Sequence, residues 1–128
     1  MKGESCTIFS METRLYQKLI VWQEAHKLCL QIYKITITFP SSEKFGLVSQ
    51  MRRSGYSIPT NLAEGNSRHS KKDKSHFVEI AIGSLEELHY QCTLSRDLGY
   101  ITPKQFEPLD SHNGAVGYLL YKLRSSLQ

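Results

Sequence analysis

From Arg14 to about Thr38, apolar residues recur every third or fourth position: Leu15, Leu19, Trp22, Ala25, Cys29, Ile32, Ile35 and Phe39. This spacing predicts an amphipathic helix with one buried face. Pro40 stops it. Its last part, Ile32 to Phe39, is rich in β-branched residues and would suit a strand by propensity, but the helical spacing runs on unbroken and no partner strand follows. Ser41 or Ser42 then caps a second helix, with Glu43 in a first turn where the helix dipole favours a carboxylate. The buried stripe of this helix is Val48, Met51, Gly55, Ile58 and Leu62. Pro59 falls inside it, and its ring presses on the carbonyl of Gly55. A glycine there leaves the backbone room to yield, so one kinked helix is expected and not two. Gly65-Asn66 ends it.

Ser70-Lys71-Lys72-Asp73 has the form of a capping box with Asp in place of Glu, and it starts a third helix. Phe77, Ala81, Leu85, Leu88, Cys92, Ser95 and Leu98 mark its core face, and Gly99 ends it. Thr102-Pro103-Lys104-Gln105 opens a fourth: a Thr cap, Pro in the first position and Gln three residues on. Phe106, Leu109, Val116, Leu119, Leu120 and Leu123 form its apolar side, interrupted by Pro108, Gly114 and Gly117. There is no strand alternation and no repeat of fixed period. Four helices joined by short loops predict an all-α fold, an antiparallel up-and-down four-helix bundle with the second helix kinked at Pro59. Residues 1–13 lack periodicity and read as a flexible leader before a single bundle over residues 14–128, with Met11 as an alternative start.

Composition narrows the setting. At 128 residues, 40% hydrophobic and 22% charged, the chain has the make-up of one globular domain. No apolar run reaches the length of a bilayer span, and the start is too short in apolar residues for a signal peptide, so no membrane partner is expected. Cys6, Cys29 and Cys92 form no CxxC pair and are odd in number, which argues against a disulfide framework and for a cytoplasmic protein.

Candidate chemistry is sparse. A di-iron bundle needs two Glu-x-x-His motifs and two further Glu. Glu86 and His89 supply one such motif, while His76 and Glu79 give only its reverse. The five histidines lack zinc-ligand spacing. No nucleophile elbow, phosphate-binding glycine loop or dinucleotide fingerprint is present. Gly83-Ser84 lies in mid-helix, where it suits close helix packing better than nucleophilic attack. The chain therefore reads as a binding module and not an enzyme, with no cofactor and no metal.

Charge placement carries the functional signal. The formal charge is +4 and the sequence pI near 9.0. Between Arg52 and Lys74 stand Arg52, Arg53, Arg68, Lys71, Lys72 and Lys74 against Glu64 and Asp73. The excess in this segment equals that of the whole chain. Most of these cations gather at the turn between the second and third helices, beside a helix N-terminus whose free N–H groups favour anions. Aromatics do not interleave with the cluster, which argues against base stacking. A polar stripe, Gln50, Ser57, Asn61 and Glu64, falls on one face of the second helix and is a candidate subunit or partner interface.

Several blocks resemble a known family. They are Leu19-Ile20-Val21-Trp22-Gln23-Glu24-Ala25, Gln50-Met51-Arg52-Arg53-Ser54, Ser57-Ile58-Pro59-Thr60-Asn61-Leu62-Ala63-Glu64-Gly65, and Ala81-Ile82-Gly83-Ser84-Leu85-Glu86-Glu87-Leu88. From about Leu15 to Leu123 the chain resembles the bacterial four-helix-bundle proteins encoded by intervening sequences in 23S ribosomal RNA genes. That family is similar to the accessory variability determinant of diversity-generating retroelements. The resemblance implies a ring of protomers, typically a homopentamer, with a basic surface for nucleic acid and no catalytic residues. It departs from the family pattern at Ser54-Gly55-Tyr56, at His69, and at Gly114 and Gly117. The expected function is a homo-oligomeric bundle that binds structured RNA, DNA or another polyanion. The alternative is a protein–protein adaptor, for example an accessory protein to a reverse transcriptase.

Overall fold

The computed structural model describes residues 13–128, so all but Thr13 of the expected leader, with Cys6 and Met11, lies outside the described residues. Helix α1 spans Ile20–Thr36 and follows a separate 3-10 turn, Leu15–Lys18. The two are parted at Leu19, which is extended. This shortens the helix expected from Arg14. The turn is held by its own polar groups: Arg14 N–H donates to Gln17 Oε1 at 2.8 Å, and Gln23 Nε2 donates to the Gln17 carbonyl at 2.9 Å. Leu15, 72% exposed, therefore misses the core it was expected to join. The buried face of α1 is Val21, Ala25, Leu28, Cys29, Ile32 and Thr36.

Ser41 and Ser42 open a second 3-10 turn, Ser41–Glu43, and not the next helix. Helix α2 begins only at Leu47 and runs to Asn66. Glu43 still caps it from upstream, where Oε1 accepts the Leu47 N–H at 3.2 Å. The helix continues unbroken through Pro59, and the whole stripe Val48, Met51, Gly55, Ile58 and Leu62 is buried. Ser54 is buried as well, and its hydroxyl has no hydrogen-bond partner. A dry, unsatisfied hydroxyl costs about 1–3 kcal/mol, and alanine is the better helix former. Ser54→Ala is expected to stabilise the protein by about 1 kcal/mol, seen as a higher urea midpoint at unchanged slope.

Helix α3, Lys71–Asp97, starts as its sequence dictates: Ser70 Oγ accepts the Asp73 N–H at 3.1 Å. It closes on Gly99, whose φ of +80° suits glycine. Tyr100 N–H reaches the Ser95 carbonyl at 2.9 Å and Gly99 N–H the Arg96 carbonyl at 3.0 Å, the paired bonds of a Schellman end. Leu98 lies half exposed beyond that end, outside the core it was expected to join. Gly83 faces open space, so it permits no close helix contact. Helix α4, Pro103–Ser126, carries the full Thr102–Gln105 capping box and passes through Pro108, Gly114 and Gly117 without interruption.

Each helix packs on its neighbours in sequence, and α1 also meets α4. Contacts across each neighbouring pair run in opposite order. Thr36 meets Arg52, and Cys29 approaches Gly55. Met51 meets Ser95, Ser57 meets Ser84, and Gly65 approaches Phe77. Glu79 meets Arg124 and His89 meets Asp110. The α1–α4 seam is joined by His112, whose ring nitrogens lie 3.0 Å from Glu24 Oε1 and 2.9 Å from Gln31 Oε1. The hydrogen bond from Lys27, its charge and then the hydrogen bond to His112 hold the Glu24 carboxyl below its usual range, outweighing some desolvation. At the other end of α2, Tyr100 O–H donates to Glu43 Oε2 at 2.8 Å and its ring tilts on Phe39. That carboxylate pushes the Tyr100 phenol up. Leu28, Ile32, Met51, Ile58, Leu85, Leu88, Val116 and Leu120 are fully buried at the centre. Each such side chain contributes about 1.5–3 kcal/mol relative to exposure. Burial also pushes the Cys92 thiol up to about 12, which leaves it protonated and inert near neutral pH.

Candidate nucleic-acid interface

The six expected cations divide into two groups. Arg68, Lys71, Lys72 and Lys74 gather at the α2–α3 turn. Arg52 and Arg53 lie on α2 about 13–14 residues before its end at Asn66, roughly 20 Å away at 1.5 Å per residue. At the turn, Arg68 pairs with Glu64 at 2.8 Å and lies over the Phe77 ring at 4.8 Å. Lys74 Nζ donates to the Asn66 carbonyl at 3.2 Å, satisfying an end group of α2. Lys71 and Lys72 are exposed and make no ion pair with another described residue. They flank the first turn of α3, where unpaired N–H groups add to the positive field.

Arg52 has a different role. Its Nε donates to Thr36 Oγ1 at 3.0 Å and a terminal nitrogen donates to the Tyr33 carbonyl at 3.2 Å. The guanidinium lies 4.7 Å from the centre of the Tyr33 ring. It thus binds the C-terminal end of α1 to α2, where exposed carbonyls favour a cation. Arg53, the next residue, points outward and is exposed.

The polar stripe also divides. Ser57 Oγ and Ser84 Oγ are 2.8 Å apart, and Asn61 Nδ2 donates to the Ser57 carbonyl at 2.8 Å and to its hydroxyl at 3.0 Å. Ser57 and Asn61 therefore use their polar groups within the protomer, along the α2–α3 seam. Gln50 and Glu64 remain on the exposed side.

Sequence reasoning missed the aromatic residues beside these cations. Two of the six cations stack on rings, Arg52 on Tyr33 and Arg68 on Phe77, so the expectation that aromatics stand apart from the basic residues is corrected. Phe77 follows the basic cluster by one helical turn, a signal that spacing could have given. Tyr33 comes from another helix, and no local pattern links it to Arg52. Among the described residues no group of three or more His, Cys, Asp or Glu converges as a metal site would require. Among the described residues, no helix is long and apolar enough to cross a membrane.

Comparison with known proteins agrees with this architecture. The family described as 23S rRNA-intervening sequence protein matches residues 17–122. A solved structure with the same fold comes from Bacteroides thetaiotaomicron, a protein of unknown function from the S23 ribosomal protein family. It is 25% identical, with a TM-score of 0.73 over 80% of this chain and 96% of that one. No curated protein matches. The match over most of the sequence, on a helical bundle whose caps and core follow from the same residues, places the chain in the 23S rRNA-intervening sequence protein family.

Proposed function

We propose that the protein is a non-enzymatic, self-associating bundle that binds the phosphates of structured RNA through the α2–α3 turn. The observation that carries this reading is the grouping of Arg68, Lys71 and Lys72 around the exposed start of α3, with Glu64 as the paired carboxylate. Side chains of this kind contact backbone phosphate and hold no sequence information. Such an interface binds many sequences alike and releases counterions, so affinity falls steeply as salt rises. The family's ribosomal RNA setting supplies the class of polyanion.

The test is anisotropy with an RNA hairpin across a salt series. Arg68→Gln, Lys71→Gln and Lys72→Gln together should weaken binding about equally for all sequences. They should lower the salt slope by about 2–3, at roughly 0.7–0.9 per phosphate contact. The helices should persist, because exposed charges contribute only about 0–1 kcal/mol per pair. Self-association is checked by light scattering, which should return a multiple of the 14.7 kDa chain mass, five-fold for a pentamer. A wild-type protein that ignores RNA at low salt would leave the turn a solvated cap and favour the adaptor reading.

A further inference from the structure

Beyond the basic turn, α1 and α2 enclose a groove of about 480 Å³. Tyr16, Trp22, His26, Tyr33 and Tyr56 give it five ring systems, above Cys29 and Pro59. Trp22 and His26 stack at 5.0 Å with only 10° between their planes, and Tyr16 meets Trp22 edge-on at 5.1 Å. Tyr33 and Tyr56 remain 39% and 48% exposed. These rings come from α1, α2 and the turn before α1, so the surface exists only in the folded protein.

The groove does not end there. Tyr16, Thr60 and Ala63 also line a wider depression of about 1,110 Å³, whose other walls carry Arg14, Lys18, Arg68 and His69. Arg52 closes the far end against Tyr33. Arg53 recurs with Tyr56, Thr60 and Ala63 at steps of three and four, on the outer flank of α2. The carboxylate on the lining is Glu64, already paired with Arg68. From Lys18 to Tyr33 the path is roughly 20 Å at 1.5 Å per residue. It is an aromatic floor with cations at both ends and along one flank.

We infer that this groove is a single-strand nucleic-acid site: unpaired bases stack on Tyr56, Tyr33 and Trp22 while Arg14, Lys18, Arg53 and Arg68 take the phosphates. The charge selects a polyanion, and the flat exposed rings select bases that are free of a duplex stack. A path of this length holds a short run, about four nucleotides, the lower end for single-strand sites. This rests on the RNA-binding reading and extends it. The basic turn gives affinity for any nucleic acid, and the groove adds a preference for unpaired segments such as loops and bulges.

Trp22 is the only tryptophan in the chain, so its emission reports on the groove. The experiment titrates the full chain with a short oligouridylate and with a blunt RNA duplex, reading anisotropy and Trp22 emission together. The expected result is quenching by the single strand and not by the duplex. Tyr56→Ala should weaken single-strand binding about ten-fold and leave duplex binding and helicity unchanged. If both RNAs bind without quenching, or Tyr56→Ala weakens both equally, the groove is empty and the inference falls while the basic-turn reading stands. If neither RNA binds at low salt, both fall. Emission that shifts with protein dilution and not with oligouridylate assigns the groove to a second copy of the chain and also overturns the inference.

Discussion

Leu88→Ala is expected to lower the unfolding free energy by about 3–4 kcal/mol, the cost of a fully buried leucine left as a cavity. Leu88 is 0% exposed, in mid-α3, within the cluster that all four helices share. The site has little freedom to collapse. Helix α3 is fixed at its start by Ser70 and at its end by the Gly99 turn, and α2 is seated against it through Ser57, Ser84 and Gly65. Against a total of about 5–15 kcal/mol, such a loss is severe. Urea unfolding followed by circular dichroism at fixed protein concentration should show a much lower midpoint with little change in slope. Leu98→Ala, at the C-terminal cap of α3, should stay within about 0.5 kcal/mol, because that side chain is half exposed. Similar losses at the two positions would mean that the core has been placed wrongly.

Gly65→Val is expected to cost about 2–3 kcal/mol, as overpacking does, and to impair RNA binding as well. A Cβ at Gly65 would stand 2.8 Å from Phe77 Cβ and 3.6 Å from the Lys74 carbonyl. Neither neighbour moves easily. Phe77 lies under the Arg68 guanidinium, and Lys74 is bonded to the end of α2. The start of α3 must therefore shift, and Arg68 and Lys74 must shift with it. Gly55→Ala is the control. Its Cβ would lie 3.8 Å from Cys29 Cα and Ile32 Cβ, an ordinary contact, and it should be tolerated. Equal melting temperatures for the two variants, or unaltered RNA affinity in Gly65→Val, would count against a tight joint at this turn.

Signals that act within a few residues were legible in the sequence. Ser70 with Asp73 and Thr102 with Gln105 are caps, made by bonds three positions apart; Thr102 and Gln105 form the full box, while at Ser70 only the hydroxyl's half of it forms. The stripe from Val48 to Leu62 was legible because one face of a helix is a fixed spacing. Leu15 was misplaced because a 3-10 turn and an α-helix share short apolar spacings, and only the Gln17 and Gln23 bonds distinguish them. The candidate site was harder to read. Arg52 and Arg53 are adjacent and chemically alike, yet α1 takes up one and leaves the other to solvent. The bond between Ser57 and Ser84, on the next helix, could not be read from the spacing of Ser57 and Asn61 on α2. The aromatic groove combines Trp22 and Tyr33 with Tyr56, and no pattern within either helix announces the other's rings.

The order in which the helices pack has a kinetic consequence. Each of the three hairpins closes over a short connection, so the chain loses little entropy in forming most of its contacts. Proteins with such local contacts fold in about microseconds to milliseconds. The seam between α1 and α4 is different: Glu24 and His112 are 88 residues apart. Once the hairpins have stacked, that separation no longer acts as a free loop, and the seam closes at little further entropic cost. The apolar faces that a slower, less local topology would leave open to aggregation are then covered early.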